Sequence, residues 1–71
     1  MNATEWLESY ARRLEIEAPT TDEIKRVLDL AAAAAHASER VAAPVACWLA
    51  ASAGVDLEEA LDRARKVQSD G

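Results

Sequence analysis

Between Ala31 and Gly54 the chain is an alanine-rich apolar tract broken once, by the polar island His36-Ala37-Ser38-Glu39-Arg40. Alanine has the strongest helix propensity of any residue and adds little buried area. Such a tract therefore folds as helix and packs by close approach of backbones rather than by filling space with large side chains. From Val41 to Val55 there is no Asp, Glu, Lys or Arg. A helix that is apolar or small all round is expected at the centre of a bundle or along an oligomer seam. The charged pair Glu39-Arg40, Pro44 and a low leucine content argue against a membrane span.

Helix starts are marked on either side of the tract. Asn2 with Glu5, Thr20 with Glu23 and Asp56 with Glu59 each place a capping residue three positions before a glutamate. In that pattern the cap accepts a free N–H of the first turn and the glutamate reaches back to the cap's own N–H. Pro44 suits the first turn of a helix, where its missing N–H is no loss, and Gly54 suits a left-handed stop. The fold class expected is all-α, a single domain over residues 1–71: a compact bundle of four short helices, about 3–14, 21–37, 42–53 and 57–68, around the apolar third helix.

Spacing of three and four residues assigns inward stripes. These are Trp6, Leu7, Tyr10 and Leu14 on the first helix, with Ile16 tucked behind it; Ile24, Val27, Leu28, Ala31 and Ala35 on the second; and Leu57, Leu61, Ala64 and Val67 on the fourth. Glu8 and Arg12 stand four apart on the first helix, the spacing of an ion pair.

A chain of 71 residues buries only about 60 to 65% of its unfolded surface. A deep catalytic cleft is not expected, and oligomerisation or docking is the common remedy for so small a core. A protein partner or a homodimer is therefore the expectation. The net charge of -5 opposes nucleic acid or an anionic membrane surface, both of which are gripped through clustered Lys and Arg. With one cysteine, and a first segment carrying neither the basic start nor the apolar run of a signal peptide, a reducing cytoplasm is expected.

The polar island is the candidate ligand site. His36, Glu39 and Arg40 bring an imidazole, a carboxylate and a guanidinium to a helix junction, where Arg40 can clamp an anion with its two-donor fork beside the free N–H groups of the next helix. A structural reading competes with this: His36 and Arg40 satisfy the last carbonyls of the second helix, and Glu39 complements the N-terminus of the third. Cys47, on the least polar helix, reads as an inert thiol. Trp6 and Trp48 lie on apolar stripes and read as core, Trp6 being the more exposed of the two. One Cys and one His do not make a zinc site. No cofactor, metal or catalytic constellation is expected, and so no enzyme.

The segments Trp6-Leu7, Leu28-Asp29-Leu30-Ala31 and His36 through Pro44 resemble a small, functionally uncharacterised bacterial helical domain, over nearly the whole chain. That domain occurs alone or as the C-terminal extension of molybdenum cofactor guanylyltransferase-type proteins. The resemblance brings no catalytic residues with it, and the transferase's Gly-rich nucleotide loop is absent here. It implies a non-enzymatic accessory or interaction domain associated with molybdenum cofactor guanylylation. The alternative is a small-molecule module that holds an anionic ligand or nucleotide through His36, Glu39 and Arg40.

Overall fold

The capping signals act where the sequence places them. Asn2 Oδ1 accepts the Glu5 N–H at 2.8 Å and Glu5 Oε1 accepts that of Asn2 at 3.2 Å. Thr20 Oγ1 accepts the Glu23 N–H at 3.1 Å, and Glu23 Oε1 the Thr20 N–H at 2.8 Å. Asp56 Oδ1 accepts the Glu59 N–H at 2.9 Å. The Glu59 carboxylate, however, turns along its helix to Arg63 at 3.1 Å, so this third signal forms the cap without the return bond.

The computed structural model describes residues 1–70, with side chains through Val67. Its helices are α1 (Ala3–Arg13), α2 (Thr21–Ala37), α3 (Ala42–Ala53) and α4 (Leu57–Asp70). They are the four expected, with α1 ending one residue earlier and α4 running two further, and no strand occurs among the described residues. None of these helices is long and apolar enough to cross a membrane.

Two of the stops use left-handed backbone. At the end of α3, Gly54 has φ 72°, a conformation open to glycine at little cost. At the end of α1 the same role falls to Glu15, at φ 60°. The Ile16 N–H bonds to Ala11 O at 3.0 Å and the Glu15 N–H to Arg12 O at 3.1 Å. That crossed pair is the Schellman closure, made here without a glycine.

The bundle is organised around α2, and this corrects the expectation of a central third helix. Both α3 and α4 seat on α2, while α1 has no seat of comparable extent among the described residues. Among the described residues Leu30 of α2, 2% exposed, is the one large side chain that is buried; the other buried apolar residues are Ala11 and Ala60. Uniform apolarity in α3 indicated burial, but burial depends on which neighbours arrive, and only one flank of α3 receives one.

The expected stripes divide accordingly. Leu7, Ile24, Val27, Leu57, Leu61 and Ala64 are half-buried. Trp6, Tyr10, Leu14, Leu28 and Val67 are exposed instead, and Ile16, 62% exposed, does not tuck into the core. With no helix laid across the outer stripe of α1, Trp6 and Tyr10 pack on each other, ring centroids 5.0 Å apart at 36°. The Glu8–Arg12 pair is absent among the described residues; Arg12 donates to Ser9 Oγ at 3.2 Å.

Among the described residues one ionic clasp joins two helices. Arg26 of α2 pairs with Asp22 on its own helix at 2.9 Å and with Glu58 in the first turn of α4 at 2.8 Å. The Glu58 hydrogen bond, then that of Asp22, raises the already high pKa of this guanidinium. Lys25–Asp29 at 3.2 Å and Arg63–Glu59 at 3.1 Å run along single helices.

Candidate functional site

The helix α3 is two-sided by size rather than by polarity. Ala42, Ala43, Ala46, Cys47 and Ala50 are half-buried, whereas Val41, Pro44, Val45, Trp48, Leu49 and Ser52 are exposed. Steps of four, three and four from Val41 through Val45 and Trp48 to Ser52 lie along one line of a helix. The inward flank is fixed by Cys47, whose thiol approaches Val27 O of α2 at 3.9 Å. Small side chains thus meet α2 and let the two axes come close, and every large side chain of α3 faces outward.

Trp48, at 69% exposed, stands further into solvent than Trp6 at 53%. Both core assignments are overturned, and so is their order. The signal was present in the sequence as an alternation of volume: large at 41, 45 and 48, small at 43, 46 and 50. Polarity patterns cannot register it, because both faces are apolar.

Beside the stripe runs an apolar groove of about 320 Å³ between α3 and α4. Leu30 lines it, with Leu49, Ala53 and Val55 on the α3 side and Ala60, Arg63 and Val67 on the other. Leu49 belongs to both the groove wall and the exposed face, so groove and stripe form one surface. Trp48, Leu49 and Val67 are each more than half exposed. Contiguous apolar exposure of this kind marks association surfaces in small proteins.

At the island, the helix ends are held by groups other than those the structural reading assigned to them. Ser38 closes α2, its hydroxyl donating to Ala34 O at 2.9 Å and its N–H bonding the same oxygen at 3.2 Å. The start of α3 is held by backbone: Ala42 N–H to Glu39 O at 2.9 Å and Ala43 N–H to Arg40 O at 3.1 Å. Val41, at the cap position, supplies no side-chain bond. The side chains of His36, Glu39 and Arg40 are all exposed. Among the described residues they make no hydrogen bond or ion pair with one another or with a helix end. His36 borders a shallow recess with Ala33, Ala37, Ala64 and Arg65; Glu39 and Arg40 do not border it.

Burial pushes the Cys47 thiol above its ordinary pKa, so the thiolate a nucleophile needs is disfavoured. Glu5 and Glu23 are engaged in their caps. Among the described residues no three His, Cys, Asp or Glu side chains are gathered as metal ligands would be. What the surface offers chemically is apolar contact.

No curated protein and no solved structure matches the chain. Residues 1–70 match a family throughout, and by that match the chain belongs to the family described as domain of unknown function (DUF6457).

Proposed function

We propose that this chain is a non-enzymatic helical interaction domain whose binding surface is the outer face of α3. The observation that carries the reading is the inverted packing of α3, with alanines against α2 and Val41, Val45, Trp48 and Leu49 turned to solvent. A fold that hid these residues would gain roughly 1.5 to 3 kcal/mol for each large side chain. Leaving them out forgoes that gain, which a second surface laid over them would recover.

The resemblance of Leu28 through Ala31 and His36 through Pro44 to the extension of molybdenum cofactor guanylyltransferase-type proteins names the process this domain would serve. That resemblance is the whole of its support. Titration of the full chain into a guanylyltransferase of that type, followed by calorimetry, tests the assignment. Saturable binding that is lost in Trp48→Glu is expected, in competition with any other occupant of the same face. An interaction unaffected by Trp48→Glu would refute the α3 surface, and no heat with any such enzyme would refute the association with guanylylation.

A further inference from the structure

We infer that the occupant of the α3 face is a second copy of this chain, seated by two-fold symmetric contact of α3 against α3. This rests on the reading of α3 as a binding surface and names its partner.

The area argues first. The chain exposes 5788 Å², whereas a folded monomer of 7.7 kDa is expected to expose about 4,300 Å². The excess, roughly 1,500 Å² per chain, exceeds the roughly 800 Å² per partner that a stable interface buries. The radius of gyration, 13.0 Å, likewise stands above the roughly 11 Å expected at this length. A chain whose buried apolar residues, among those described, are Ala11, Leu30 and Ala60 lacks the interior that a second copy would supply. Small domains meet that need by oligomerising.

Charge then selects the partner. The protein carries -5 overall, which sets two copies against each other wherever charged faces meet. From Val41 to Val55 no Asp, Glu, Lys or Arg is present, so α3 is the one helix on which two copies can approach without like-charge repulsion. A face that recognises a different protein ordinarily carries charges that steer and register it. Val41, Val45, Trp48 and Leu49 carry none, Arg63 being the charged residue at the adjoining groove, and a two-fold contact needs none, because each copy meets the same patch on the other. In an antiparallel crossing the indole of Trp48 in one copy lies over the valines of the other, and the Leu49 edge brings the α3/α4 groove into the same contact.

Sedimentation equilibrium of the full chain, thermal melts over a hundredfold concentration range, and emission of Trp48 in a Trp6→Phe background test this together. The expected results are twice the 7.7 kDa chain mass, a Tm that rises with concentration, and a red shift of Trp48 emission on dilution. Trp48→Glu is expected to sediment as the single chain. Should that variant not fold, the concentration dependence of the wild-type Tm decides alone. A wild-type mass of one chain with a concentration-independent Tm overturns the proposal, as does a dimer left intact by Trp48→Glu. If the monomeric chain still binds a guanylyltransferase-type protein through Trp48, only the second copy is refuted. If it binds neither, the reading of α3 as an interaction surface fails as well.

Discussion

Glu15 and Gly54 hold the same left-handed backbone at two helix ends, and only one of them suits it. For a residue with a Cβ that conformation costs about 1 to 2 kcal/mol, part of which glycine gives back as chain entropy. Glu15→Gly is therefore expected to stabilise the fold by about 0.5 kcal/mol. Gly54→Ala is expected to destabilise it by about 1 kcal/mol. A Cβ at Gly54 would meet nothing within 4 Å, so the loss would be purely conformational. Urea melts of both variants check the opposite signs. Cys47 carries a pH dependence. Its raised pKa means that the unfolded chain loses the thiol proton first, so stability is intact below the ordinary thiol range and falls as pH rises through it. Cys47→Ala should remove that alkaline fall, as read from Tm against pH. Arg40, exposed and without a partner among the described residues, should tolerate Arg40→Ala within about 0.5 kcal/mol. A larger loss in the same melts would show a structural role at the junction.

At the scale of elements, the helix starts were legible because capping is local: Asn2, Thr20 and Asp56 need only their own first turns to act. Removing one such cap, as in Thr20→Ala, should cost about 1 kcal/mol, visible as a lower Tm. The arrangement of the helices was less legible. Leu30 lies off the stripe defined by Ile24, Val27 and Leu28, and it became the centre because α3 and α4 both arrive on its side of α2. Local spacing contains no record of that arrival. The island at 36–40 was recognisable as a junction, yet its bonds come from Ser38 and from backbone carbonyls. The conspicuous side chains of His36, Glu39 and Arg40 take no part. The Arg26 clasp could not be read either, since Glu58 is 32 residues away along the chain. Arg26→Ala is expected to lower Tm, by more in low salt than in high, because the lost contacts are solvent-screened. Equal loss at both ionic strengths would point to packing of the arginine stem instead.

Over the whole molecule, stability is concentrated at few points. Leu30→Ala removes the one large buried side chain among the described residues and is expected to cost about 2 to 5 kcal/mol, close to what a lone core of this size provides. Unfolding of that variant at room temperature, followed by far-ultraviolet circular dichroism, is the expected outcome. The consequence of α3 packing small side inward reaches beyond its surface. In an ordinary domain, truncating large residues does the damage and adding methyl groups to alanines is often harmless. Here the tolerances of the dilute chain should be exchanged. Ala43, Ala46 and Ala50 lie on the half-buried flank, where added volume would drive α3 off α2, while Trp48 and Val45 could shrink with little effect on folding. Selection acting on folding alone would thus leave the bulky residues of α3 free to drift and hold its alanines fixed.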